Sequence, residues 1–159
     1  MEKAKKIEIL LFEDDYMQAR GISVGLEREF PAADIIVVAS EYDFYEGITN
    51  DTFGALRPNL AILDVLGRWA NPSPVMPEPP REVSDGGFFG AGIRCARKLR
   101  DNNSTKSVPI IFYTVLGPEK LPQDVESLGR VIKKSGDLEP LFMAVRETLK
   151  MPHDSQSQP

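Results

Sequence analysis

The sequence predicts an α/β domain: a doubly wound, five-stranded parallel sheet flanked by helices on both faces. Two observations predict it. Short, nearly continuous apolar runs alternate with segments of helical period, as in a parallel sheet covered on both sides. The polar residues of chemical interest fall where those runs stop. Open α/β sheets bind ligands at that place, the carboxyl ends of the strands near the topological switch point.

Each element has its own signal. Ile7-Glu8-Ile9-Leu10-Leu11-Phe12 is a short apolar run stopped by acids and predicts the first strand. Residues 16–30 predict a helix, with Met17, Ile22, Leu26 and Phe30 near helical spacing and Pro31 ending it. The β-branched run 35–39 predicts the second strand. A short helix is expected over 42–49. Pro58 precedes Leu60-Ala61-Ile62-Leu63, the third strand, which ends on Asp64 and Val65. Residues 91–100 predict a helix with a solvated basic face made by Arg94, Arg97, Lys98 and Arg100. Pro109 admits Ile110-Ile111-Phe112-Tyr113, the fourth strand, ending on Thr114. Arg130-Val131-Ile132-Lys133 predicts the fifth. The last helix is expected over 138–150, with Leu141, Val145 and Leu149 at i, i+4, i+8 and Pro152 as its stop. One domain is therefore expected over 1–150, and a disordered polar tail over 151–159.

Composition narrows the function. The 159 residues suit one domain, and 42% hydrophobic with 27% charged residues is the balance of an ordinary soluble protein. A net charge of -5 argues against nonspecific nucleic-acid binding, which relies on Lys and Arg neutralising phosphates. The single cysteine, Cys95, excludes an intramolecular disulfide and reads as a small buried helix residue. The single histidine, His153, excludes a multi-histidine metal site or a histidine-based triad. The first apolar run is too short to cross a bilayer and lacks a small-residue cleavage site. A cytoplasmic protein without a membrane or nucleic-acid partner is expected.

Four strand ends carry chemistry: Glu13-Asp14-Asp15, Asp64, Thr114 and Lys133-Lys134. In a parallel sheet they share one edge. Clustered carboxylates make a hard, oxygen-rich site suited to Mg²⁺. A carboxylate can also act as a nucleophile and form an aspartyl phosphate. A lysine can pair with the phosphoryl group and a threonine hydroxyl can donate to it, so that positioning and electrostatics supply most of the catalysis. Taken singly, each feature has a plainer reading. The acids could favour a helix N-terminus, Thr114 could be an N-cap, and the lysines could be solvated.

Four motifs in order resemble the response regulator receiver domain: Leu10-Leu11-Phe12-Glu13-Asp14-Asp15, Pro58-Asn59-Leu60-Ala61-Ile62-Leu63-Asp64, Val108-Pro109-Ile110-Ile111-Phe112-Tyr113-Thr114 and Val131-Ile132-Lys133-Lys134. The resemblance runs over residues 7–150 and implies the flavodoxin-like receiver fold. It implies Asp64 as phosphoacceptor and metal ligand, Glu13 and Asp14 as the acidic pair holding Mg²⁺, and the backbone carbonyl of Leu66 as a further metal oxygen. Thr114 is implied as the switch hydroxyl. Lys134 is the expected site lysine, since Ser135 then stands where the family usually has proline; Lys133 is the competing register, and strand parity admits only one of them. The implied activity is acceptance of a phosphoryl group from a sensor histidine kinase or phosphotransfer protein, with signalling through a downstream protein partner. No enzyme turning over a free substrate is implied. The segment 150–159 is too short for an output domain, so a single-domain regulator is expected.

The sequence departs from the family in several places. Val131 stands where an aromatic is common, which puts an aromatic readout in doubt. Ser135 puts the usual cis peptide after the lysine in doubt. Val115 replaces a small residue after Thr114. Leu66 and Leu116 cannot orient an attacking water by hydrogen bonding, so slow self-dephosphorylation is expected. The largest departure is an inserted stretch over about 66–90, where a βα connection is usually about 2–6 residues. It holds Trp69, prolines 72, 74, 77, 79 and 80, and Asp85-Gly86-Gly87-Phe88-Phe89-Gly90. Its prolines favour extended, helix-free backbone. A lid and a partner-docking loop are both open, and Trp69, Phe88 and Phe89 either pack the loop or anchor a partner. Two other functions compete: a receiver-like scaffold independent of phosphorylation, and a phosphohydrolase. The hydrolase reading ranks low, because Asp64-Val65-Leu66 lacks the second acid of an Asp-x-Asp motif.

Overall fold

The computed structural model describes residues 6–151. The predicted tail beyond them, with Pro152 and His153, lies outside the described residues. Met151, assigned above to the tail, packs against the core and belongs to the domain.

Five parallel strands stand in the order β2-β1-β3-β4-β5. They are β1 (Ile7–Phe12), β2 (Ala33–Val38), β3 (Leu60–Leu63), β4 (Ile110–Thr114) and β5 (Arg130–Lys133). Helices α1 (Tyr16–Glu29), α2 (Glu41–Thr49), α3 (Thr52–Leu56), α4 (Arg81–Gly86), α5 (Ala91–Asp101), α6 (Val125–Leu128) and α7 (Glu139–Thr148) connect and follow them. Alternating side chains send the strands' residues to two separate cores. Ile9, Leu11, Leu60, Ile62, Ile111 and Tyr113 meet Ile22 and Leu26 of α1 and Leu141 and Val145 of α7. Leu10, Phe12, Ala61, Leu63, Ile110 and Phe112 meet Phe44 of α2, Phe53 of α3 and Cys95 and Leu99 of α5. Both faces are covered, which is why β1, β3 and β4 read as continuous apolar runs.

Local chemistry starts the helices. The Asp15 carboxylate accepts the Gln18 N–H at 2.9 Å and caps α1, and Ser40 Oγ accepts the Asp43 N–H at 3.1 Å and caps α2. The insertion is not helix-free. Its prolines stop at Pro80, which sits at the N-cap of α4, where no N–H is missed; a 3₁₀ turn (Gly87–Gly90) then leads into α5. Gly87 has φ 64°, the left-handed conformation that ends α4.

The basic face of α5 is only partly solvated. Arg97 and Lys98 are exposed, but Arg100 donates to the carbonyls of Val108 and Leu128 at 2.6 and 2.8 Å. Arg94 turns inward. Its Nε lies 2.7 Å from Glu41 Oε2, and its Nη2 donates to Glu41 Oε1 at 2.8 Å and to the Gly87 carbonyl at 2.6 Å. The helix-face reading fails at these two positions because buried acceptors lie within their reach. Glu41 is fully buried and also accepts the Tyr45 hydroxyl at 2.6 Å. The Glu41 hydrogen bond raises the Arg94 pKa against the opposing effect of burial. Burial, then Glu41, pushes the Tyr45 phenol well up.

Candidate functional site

At the carboxyl edge of the sheet, β1 and β3 pair Phe12 with Leu63, so Glu13 and Asp64 stand side by side one residue later. Both share the strand parity that faces α1. Lys134 shares it too, since Ile132 packs on that side and Val131 on the other. The register therefore selects between the two lysines. Lys134 enters the site, and Lys133, paired with Thr114, points to solvent.

The Lys134 ammonium bridges the two acids. Nζ lies 2.6 Å from Glu13 Oε2, 2.8 Å from Asp64 Oδ2 and 2.7 Å from Gln18 Oε1, so its three donors are all used. The second oxygens are held by backbone. Glu13 Oε1 accepts the Asp15 N–H at 3.1 Å, and Asp64 Oδ1 accepts the Leu66 N–H at 3.2 Å. Burial pushes the Glu13 carboxyl up against the opposing pull of Lys134. Burial also acts to lower Lys134, but hydrogen bonds and charge from Asp64 and Glu13 outweigh it and raise its pKa.

Asp14 faces the other way. Its Oδ2 accepts the Arg68 N–H at 3.0 Å and lies 3.6 Å from the Arg68 guanidinium Nε. Thus Glu13, Asp14 and Asp64 are not gathered around one point, and among the described residues no three His, Cys, Asp or Glu side chains are placed to hold a metal ion. Electrostatics accounts for the arrangement: two acids share an ammonium and the third takes a guanidinium. The donor set still fits a hard divalent cation in its chemistry, being all oxygen, with three carboxylates against two cationic side chains. Thr114 is fully buried, and its hydroxyl accepts the Leu116 N–H at 3.2 Å; that hydroxyl has no bond to Asp64 or Lys134, although the Thr114 carbonyl accepts the Lys134 N–H at 2.8 Å. All described peptide bonds are trans, including the one between Lys134 and Ser135.

Gly92, at the start of α5, lies so close to the end of β3 that an added Cβ would stand 1.8 Å from the Asp64 carbonyl oxygen. Its N–H donates to the Val65 carbonyl at 3.0 Å. The sequence assigns no role to Gly92, Arg68 or Glu41, and it puts Arg94 on a solvated face, where the structure pairs it with the buried Glu41. The signal for Gly92 was its place just after the insertion, but the closeness of α5 to Asp64 exists only in three dimensions. Between the insertion, α2 and α5 opens a cavity of about 660 Å³, bordered by Asp14, Arg68, Glu41, Arg94, Val83 and Phe88.

No protein-family model and no curated protein matches the chain. Solved structures do. The signal receiver domain of a two-component signal transduction histidine kinase from Clostridium thermocellum superposes with a TM-score of 0.65 at 18% identity, covering 91% of this chain and 98% of that one. The signal receiver domain of a DNA-binding response regulator from Colwellia psychrerythraea 34H gives 0.62 at 18%, over 92% and 100%. That of a signal transduction histidine kinase from Syntrophus aciditrophicus gives 0.61 at 22%, over 96% of each. The chain has the receiver fold. Within that fold, Asp64 follows the third strand, Thr114 ends the fourth, and Lys134 follows the fifth. No helix among the described residues is long and apolar enough to cross a membrane.

Proposed function

We propose that this receiver is a cytoplasmic phosphoacceptor signalling module. Asp64 takes a phosphoryl group from a histidine kinase or phosphotransfer protein, and altered contacts with a protein partner carry the signal. The observation that supports this best is Lys134 Nζ held between Glu13 and Asp64 at the sheet's carboxyl edge. An Asp64 oxygen attacks phosphorus, the bond from phosphorus to the donor's imidazole nitrogen breaks, and that nitrogen leaves with its electron pair. Lys134 is placed to follow the charge from carboxylate to phosphoryl oxygen, and the Leu66 N–H steadies the carboxylate. The Thr114 hydroxyl keeps its proton to donate to a phosphoryl oxygen. Glu13, Asp14, Asp64 and the Leu66 carbonyl would hold Mg²⁺, which supplies neutralisation of phosphoryl charge when bound. The protein transfers the group to itself and turns over no free substrate. Leu66 and Leu116 offer attacking water no hydrogen bond, so the aspartyl phosphate should be long-lived for a receiver.

The test is intact mass after treatment with acetyl phosphate and Mg²⁺. A single phosphoryl adduct on the wild type, absent from Asp64→Ala, is expected. A wild type that takes no adduct and binds no Mg²⁺ would overturn this reading. It would favour the phosphorylation-independent scaffold, a reading that draws on the acids already being paired with Lys134 and Arg68.

A further inference from the structure

Asp14 and the inserted segment are tied by one residue. Arg68 touches Asp14 three times: its N–H donates to Oδ2 at 3.0 Å, its Nε lies 3.6 Å from that oxygen, and its Nη2 donates to the Asp14 carbonyl at 3.3 Å. The insertion then docks on α2. The Arg68 and Trp69 carbonyls accept the Glu41 and Tyr42 N–H groups at 2.9 and 2.7 Å. The Trp69 ring meets Tyr42 and Tyr45 edge-on, each at 5.6 Å between centroids, and its Nε1 donates to the Pro77 carbonyl at 2.8 Å. On the other side of Arg68, the Gly67 N–H donates to the Phe88 carbonyl at 3.0 Å. Phe88 and Phe89 stack at 4.5 Å and stand 55% and 59% exposed. A chain of contacts therefore runs from Asp14 through Arg68 and Gly67 to an exposed aromatic pair.

We propose that Arg68 sets divalent-cation binding at the acid site against docking of the inserted segment. Loading the site loosens residues 66–90 and repositions Phe88 and Phe89. This rests on the reading of Glu13, Asp14 and Asp64 as the cation site. A divalent ion at Asp14 puts like charge beside the guanidinium, so Arg68 must yield. Coupling is reciprocal: whatever the docked segment subtracts from cation affinity, the cation subtracts from docking. The Arg68 side chain is 43% exposed, so the effect belongs at the low end of coupling strengths, about fivefold in affinity.

The experiment is Mg²⁺ titration by calorimetry on the wild type and Arg68→Ala, followed also through Trp69, the only tryptophan, and amide exchange over 66–90. Arg68→Ala is expected to bind Mg²⁺ about fivefold more tightly. In the wild type, saturation should change Trp69 emission and speed exchange at Gly67, whose N–H donates to the Phe88 carbonyl; in the variant Gly67 should exchange fast before Mg²⁺ is added. Equal or weaker affinity in Arg68→Ala would show Arg68 to be a structural clamp only and overturn the proposal, leaving the cation site intact. Binding by neither protein overturns the proposal and the cation site together. Should Arg68→Ala not fold, Arg68→Gln, which removes the charge and keeps a long polar side chain, carries the same test, with the change in the same direction.

Discussion

Replacing Lys134 by alanine removes the one cation between two buried carboxylates. Its Nζ stands 2.6 Å from Glu13 and 2.8 Å from Asp64, and the three side chains are 10%, 2% and 7% exposed. Removing one partner of a buried pair costs about 3–5 kcal/mol, because the remaining charge stays desolvated. Here two like charges remain, and one can escape by taking a proton. Glu13, which burial already pushes up, is the natural acceptor. We expect Lys134→Ala to lose about 3 kcal/mol at neutral pH, the low end of that range. The pH dependence follows from the sign. An acid whose folded pKa is raised keeps a proton that the unfolded chain has released. Stability then falls as pH rises from the ordinary carboxylate value through the raised one. Losing Lys134 moves the upper edge of that window toward neutrality, so the penalty should shrink as pH is lowered toward 5. Lys134, raised in the fold, contributes stability that the wild type keeps below the ordinary lysine value and loses as pH rises through the raised one; the variant lacks that alkaline loss. Urea unfolding from about pH 5 to 8 reads the penalty and its relief toward acid, the alkaline loss needs a series carried above the ordinary lysine value, and thermal midpoints should fall by about 6–12 °C. A variant within about 0.5 kcal/mol of the wild type, or a penalty growing toward acid pH, would refute the reasoning.

Other perturbations separate site from scaffold. Gly92→Ala drives a Cβ into backbone atoms of Asp64 and Val65, at 1.8 Å from the nearest, and should cost about 3 kcal/mol and lower phosphoryl uptake, read by urea unfolding and intact mass. Arg94→Ala strands the fully buried Glu41 carboxylate and should cost about 3–5 kcal/mol, whereas Arg97→Ala on the exposed face should stay within about 0.5 kcal/mol. Trp69→Phe keeps a ring beside Tyr42 and Tyr45 but loses the bond to Pro77; it should cost about 1 kcal/mol and raise amide exchange within the insertion.

The strands were legible because burial on both faces leaves an unbroken apolar signature, and the parallel edge followed from their alternation with helices. The first and fifth strands were read to the residue, while the third, expected to end on Asp64 and Val65, stops at Leu63. What escaped was short or distant. Helices α3 and α6 have five and four residues, too few to show a helical period. Helix α4 hid behind five prolines that forbid helix only up to Pro80. The choice between Lys133 and Lys134 needed the β4–β5 register. Arg94 and Glu41 are 53 positions apart, and Arg68 and Asp14 are 54, so neither pairing leaves a local trace.

Val131 sharpens where a signal would travel. It stands beside Phe112 in the core that faces α5, and a valine has no ring to swing there. The nearest ring to the site lysine is Tyr113, 5.9 Å from Nζ, but it is buried in the opposite core. The usual aromatic route along the fifth strand therefore has no moving part. On the insertion side the parts are present: a loop that begins on the Asp64 carboxylate through the Leu66 N–H, a guanidinium on Asp14, and an exposed aromatic pair bonded back to Gly67. For the proposed phosphorylation at Asp64, the physical connections favour readout through residues 66–90 over β5. A chimera that shortens this segment to an ordinary βα loop should then still take the phosphoryl group and lose its phosphorylation-dependent partner. Retention of that partner by the shortened protein would return the output to β5 and α7.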